Sequence, residues 1–120
     1  MLGSELIIRS LHRLGVKTLF SLSGNQIMPL YDACFDAGIR IIHVRHEAAA
    51  VFMADAWSQI TGELGVAMLT AAPGIANGLA PLYSASQAKA QSWSSRVIPL
   101  SLKTARARFK SWTRSPSPPR

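Results

Sequence analysis

The residue in this chain best suited to do chemistry is Glu47. It follows the apolar run Ile41-Ile42-His43-Val44 by two residues and opens a segment rich in helix formers, Glu47-Ala48-Ala49-Ala50. A strand running straight into a helix puts this carboxylate in the first helical turn. There the free backbone N–H groups and the helix dipole favour it. Taken alone, the stretch is also ordinary helix-start chemistry on a solvated turn. Two further polar stretches sit where strands give way to helices: Ser23-Gly24-Asn25, and Ala72-Pro73-Gly74 followed by Asn77. Glycine there can supply a positive φ, and asparagine can cap a helix. The remaining chemistry-bearing residues are sparse. Cys34 is the single cysteine, so no internal disulfide forms, and its place in an apolar helix suits a buried structural thiol. His12, His43 and His46 lack the H-x-x-x-H spacing of a metal site.

Positioning these residues requires alternating elements. Leu6, Ile7, Leu11 and Leu14 recur at helical spacing, and Gly15 follows as a C-terminal cap would. Lys17–Leu22 reads as a strand and Ser23–Asn25 as a turn, with Asn25 capping a helix over Gln26–Ala37 that tolerates Pro29 in its first turn. Ile41–Val44 is a second strand. Glu47–Thr61 is a third helix, with Val51, Phe52, Ala54 and Trp57 toward one side. Val66–Thr70 is a third strand, and a fourth helix runs from Ile75 to about Ala88. Near-continuous apolar strands alternating with helices predict an α/β fold. Its core is a partial parallel sheet of about three strands with flanking helices, and ligands bind at the strands' carboxyl ends.

Charge divides the chain. Residues 1–88 carry five basic residues against six acids, whereas residues 89–120 carry eight basic residues and no acid. The expected organisation is therefore a domain over 1–88 and a basic, Ser/Pro-rich, disordered tail over 89–120. No apolar run is long enough to span a bilayer and no signal peptide is evident, so the expected compartment is cytoplasmic.

Five blocks, in order and at matching spacing, carry a specific resemblance. They are Leu14-Gly15-Val16-Lys17-Thr18-Leu19-Phe20; Gly24-Asn25 with Pro29-Leu30-Tyr31-Asp32; Arg45-His46-Glu47-Ala48-Ala49-Ala50 with Met53-Ala54-Asp55; Thr61-Gly62; and Pro73-Gly74-Ile75-Ala76-Asn77-Gly78. Residues 1–88 resemble the N-terminal, pyrimidine-binding domain of thiamine-diphosphate-dependent enzymes, of the acetolactate synthase-like kind. Two positions depart from the pattern: Ser23 stands where many relatives have proline, and Ala72 where many have glycine.

The resemblance implies that Glu47 hydrogen-bonds N1′ of the cofactor's aminopyrimidine. That bond promotes an imino tautomer able to take the thiazolium C2 proton, and the carbon then attacks a 2-keto acid in decarboxylation or carboligation. It places Gly24 and Asn25 on the substrate- and cofactor-side loop, and Pro73, Gly74 and Asn77 on the loop beside the pyrimidine. Simple turn chemistry accounts for these five equally. The resemblance further implies a homo-oligomer with the active site between subunits. It implies Mg²⁺ on the diphosphate and leaves FAD open, neither held by this segment. The Gly-Asp-Gly motif and downstream asparagine of the family's diphosphate domain have no match in these 120 residues. The expectation is a fragment that is inactive alone.

The tail admits three readings: a disordered basic tail, an arm contacting nucleic acid or a partner in a small basic binding protein, or an out-of-frame translation. Nucleic-acid binding is the weaker expectation. Taking the third base of each codon with the first two of the next, a permitted translation from Ala90 onward is P-V-L-V-V-S-G-D-S-P-L-S-Q-D-G-T-G-A-F-Q-E-L-D-Q-V-A-I-T. That peptide resembles the family's next strand and loop. In the frame as it stands, Val97–Leu100 is expected to replace that strand poorly, since Pro99 withholds a ladder donor. Order is expected to end between residues 85 and 92, with at most a marginal helix around Lys103–Trp112.

Overall fold

The structure is a computed structural model and describes residues 2–91 and 97–100. Its elements follow in the order α1 (Gly3–Arg13), β1 (Thr18–Ser21), a 3-10 turn (Asn25–Ile27), α2 (Met28–Asp36), β2 (Arg40–His43), α3 (Glu47–Thr61), β3 (Gly65–Met68), α4 (Pro73–Gln91) and β4 (Val97–Leu100). All strand pairings are parallel, in the order β2-β1-β3-β4. The α/β class, the parallel sheet and the flanking helices are as the sequence predicts.

Period-two alternation puts the strands' side chains on two faces. Leu19, Val66 and Met68 join Ile8, Leu11, Ile27, Leu30 and Cys34 in the core under α1 and α2. Phe20, Ala67 and Leu69 join Val44, Ala50, Val51, Ala54 and Ala85 in a second core under α3 and α4. Both faces of the sheet are therefore covered, as near-continuous apolar strands require. Gly65 is obligatory in the second layer, because a Cβ there would run into the backbone carbonyl of Ala54. Helix α3 can lie this close to β3 only over a bare Cα.

Several expectations need correction. The expected parallel sheet of β2, β1 and β3 is present and carries a fourth strand at its edge. β4 pairs with β3, with Ala67 opposite Pro99. It lies at the sheet edge, where a strand is laddered on one side only and tolerates proline. The described strand β4 lies beyond the expected end of order, and α4 reaches Gln91 rather than Ala88. The expected helix at 103–112 lies outside the described residues.

Asn25 does not cap a helix. Gly24 holds the cap position of the 3-10 turn, α2 begins after Ile27, and neither cap has a side-chain hydrogen bond. Pro29 falls in the first turn of α2, where its missing N–H costs nothing. Pro73 likewise opens α4 and is part of the helix, not of a turn before it. Phe52, Leu6 and Leu14 are exposed, because the buried faces of α3 and α1 run through Val51 and Ala54, and through Ile8 and Leu11.

Candidate functional site

The site is built at the carboxyl ends of β1, β2 and β3, from the first turns of α3 and α4. Helix α3 begins sharply because His46, in an extended conformation (φ −151°, ψ 138°), caps it: Nδ1 accepts the Ala48 N–H at 3.1 Å. It ends at Gly62 in the left-handed region (φ 72°), whose N–H donates to the Ser58 carbonyl. With both ends fixed, Glu47 takes the first helical position and points inward, 9% exposed. A buried carboxylate needs donors. The Asn77 side-chain amide supplies one, donating to Oε2 of Glu47 at 3.0 Å across 30 residues of sequence.

The other carboxylate oxygen faces open backbone. A Cβ placed on Gly74 would lie 3.6 Å from Glu47 Oε1 and 2.7 Å from Cγ2 of Thr70. Thr70 also wedges against the first loop, because a Cβ on Gly24 would come within 2.6 Å of its Cβ and Oγ1. One threonine thus holds two glycine loops together, and only glycine fits on either side of it. Gly74 sits just after Ala72, whose φ of 60° is the one positive value at a non-glycine among the described residues. That left-handed residue turns the chain from β3 into α4 and brings Pro73 and Gly74 beneath Glu47.

The structure therefore brings Glu47, Gly74 and Asn77 together directly, and joins Gly24 to them through Thr70. Asn25, at the start of the 3-10 turn, and Pro73, at the first position of α4, are exposed. Thr70 and the His46 cap are not singled out by the sequence reading. The signal for Thr70 was a lone β-branched polar residue at a strand end, just before a Pro-Gly pair.

Two polar relays brace the same end of the sheet. Tyr31 donates to Ser21 Oγ at 2.7 Å, and the fully buried Ser21 hydroxyl donates to the Met68 carbonyl at 2.8 Å, tying α2 to the ends of β1 and β3. Burial pushes the Tyr31 phenol up, and the Ser21 hydrogen bond partly opposes it. Ser23, where the resemblance has proline, pairs instead with His43: Nε2 lies 3.1 Å from its Oγ and accepts its backbone N–H at 3.4 Å. Cys34 is the buried thiol the sequence suggests, pushed up to about 11 by burial. Among the described residues no cluster of three potential metal ligands forms, and no helix is long and apolar enough to cross a membrane. A hollow of about 290 Å³ between α1 and α2, lined by Glu5, Arg9, His12, Arg13 and Asp36, contains none of the candidate residues.

The arrangement presents a buried carboxylate with one oxygen held by an amide donor and the other beside the Gly74 backbone. Comparison with known proteins gives this a family. The family described as thiamine pyrophosphate enzyme, N-terminal TPP binding domain, matches residues 1–108, which extends beyond the charge boundary at 88. The chain is similar to the acetolactate synthase large subunit IlvG of Mycobacterium tuberculosis, 46% identical over 87 residues, covering 72% of this chain and 16% of that protein. It is similar to the catabolic acetolactate synthase of Raoultella terrigena, 47% identical over 75 residues, covering 62% and 13%. It is also similar to human 2-hydroxyacyl-CoA lyase 2, 41% identical over 87 residues, covering 72% and 14%. The chain thus spans about 16% of the length of the first of these. None of these matches supports the reading as a small basic binding protein. On this evidence the chain belongs to the thiamine pyrophosphate enzymes, as an N-terminal TPP-binding domain of the acetolactate synthase-like kind.

Proposed function

We propose that this domain holds the aminopyrimidine end of thiamine diphosphate, with Glu47 as the group that exchanges a proton with the ring. The observation that carries the proposal is the Glu47 carboxylate, buried at the start of α3, with one oxygen held by Asn77 and the other over Gly74. The residues fit the group: a ring needs a flat approach, and a side chain on Gly74 would occupy it. When bound, thiamine diphosphate supplies a carbon nucleophile and an electron sink for 2-keto acid decarboxylation or carboligation. Glu47 would hold a proton at a ring nitrogen, Gly24 and Gly74 would let the ring approach the backbone, and Thr70 would keep the two loops at fixed separation. Asn25, from the 3-10 turn, and Pro73, from the start of α4, would flank the ring. The substrate class is a 2-keto acid. Mg²⁺ on the diphosphate and any flavin would be held by segments outside residues 1–88, and a homo-oligomer would place the active site between subunits.

Saturation-transfer NMR on the 120-residue chain tests the proposal. Saturation should pass from protein to the pyrimidine methyl and ring protons more than to the diphosphate-side methylenes, and the effect should vanish in Glu47→Ala. Equal transfer along the molecule, or transfer indifferent to Glu47→Ala, would refute it.

We propose also that residues 89–120 follow a one-base frame change near codon 88, which accounts for the abrupt switch to unopposed basic charge. The shifted translation supports this, because Trp112-Thr113 forces an aspartate at the position where G-A-F-Q-E-L-D-Q requires one. The 120 residues alone are then expected to turn over no pyruvate. The coding sequence decides the matter: codons compatible with P-V-L-V-V-S-G-D-S-P after a single-base shift support the proposal, and incompatible synonymous codons refute it.

A further inference from the structure

We infer that Asn77 is a positioning residue that makes the two oxygens of Glu47 unequal, so that Oε1 alone exchanges a proton with a bound ring. The inference rests on the cofactor reading of Glu47 and deepens it. The side chain of Asn77 lies on the first turns of α4, and its amide nitrogen is 3.0 Å from Glu47 Oε2. The opposite amide orientation would set a carbonyl oxygen against a carboxylate, two acceptors without a proton between them. The donating orientation is therefore the stable one. An N–H donated to Oε2 uses the lone pair on that side of the carboxyl group. A proton arriving at Glu47 then goes to Oε1, the oxygen 3.6 Å from where a Gly74 Cβ would stand. Asn77 thus acts through Glu47, not on the cofactor.

The same bond fixes the Glu47 rotamer. Glutamate has three rotatable side-chain bonds, and without a partner the carboxylate could swing toward solvent. Asn77 is itself exposed on its outer side, so its conservative replacement should leave the fold intact. Asn77→Asp keeps the shape but replaces the donor with an acceptor. Asn77→Gln keeps the donor on a longer arm and should recover part of the effect.

The test uses the full 120-residue chain, isotope-labelled, with 4-amino-2-methylpyrimidine as the probe. In the free chain, one Asn77 side-chain amide proton should resonate downfield and cross-relax with the Glu47 γ protons. Asn77→Ala and Asn77→Asp should both move the Glu47 carboxyl carbon signal. Probe affinity should fall about tenfold or more in Asn77→Asp, as for loss of a hydrogen bond to a charged group, and recover partly in Asn77→Gln. A Glu47 carboxyl signal unmoved by Asn77→Ala, with no such amide proton in the wild type, would overturn the inference. The wild-type amide signal decides this arm even if a variant fails to fold. A probe that binds without perturbing Glu47 in the wild type would instead overturn the cofactor reading, so the two failures are distinguishable.

Discussion

Thr70 packs between Gly24 and Gly74 so closely that a Cβ on either glycine would come within 2.7 Å of its side chain. Two loops separated by half the domain are thereby locked to one strand end, and the floor under Glu47 is set by a side chain that touches no proposed ligand. The site's shape depends on this wedge as much as on Glu47.

The wedge predicts a compensating pair. Gly74→Ala should destabilise the domain by about 1–3 kcal/mol through overpacking. Thr70→Ser removes Cγ2, the atom 2.7 Å from the added methyl group, and should restore much of that loss in the double variant. Urea denaturation of the four chains checks it. Strictly additive effects would show that the two residues do not share the contact.

Ala72 supplies a second prediction. Its φ of 60° is a conformation that residues with a Cβ adopt at a cost. Ala72→Gly should raise stability by about 1 kcal/mol, despite the extra freedom glycine gives the unfolded chain. A fall in the denaturation midpoint would mean that residue 72 is not in the left-handed region.

The sequence made α3 legible at both ends. An apolar strand, a break at Arg45-His46 and an acid at a helix start locate its beginning, and Gly62 locates its end, so the predicted and observed bounds coincide at Glu47–Thr61. The pairing of Glu47 with Asn77 was not legible beyond the resemblance, since the two are 30 residues apart and meet only once β3 and α4 are laid beside α3. Thr70 escaped for the same reason: its neighbours are glycines, whose lack of side chains gives no pattern. Ala72 looked like a mild departure from a family glycine and proved to occupy the backbone conformation that glycine suits. Val97–Leu100 was discounted because Pro99 withholds a ladder donor, whereas the sheet takes the strand at its edge.

Cys34 gives a pH dependence. Its folded thiol is pushed from 9.0 up to about 11 by burial. Above pH 9 the unfolded thiol loses its proton while the folded one keeps it, so the unfolded state binds fewer protons and stability falls as pH rises. The loss should develop between about pH 9 and 11 and be absent below 9. Tyr31, raised in the same direction, adds to it at the upper end. Denaturation at pH 8 and pH 10.5 should show a smaller drop in Cys34→Ala than in the wild type. An equal drop would place the thiol in contact with water.

The central claim is that the Glu47 carboxylate exchanges a proton with the cofactor's ring, and its most direct test is C2 hydrogen–deuterium exchange. The measurement uses the full-length, in-frame protein loaded with thiamine diphosphate and Mg²⁺, comparing wild type with Glu47→Gln. An amide is close in shape to the carboxyl group but cannot share its proton. Exchange at C2 should slow by about 10²–10⁴-fold, the usual contribution of a positioned acid–base group. Exchange at near the wild-type rate in Glu47→Gln would contradict the account.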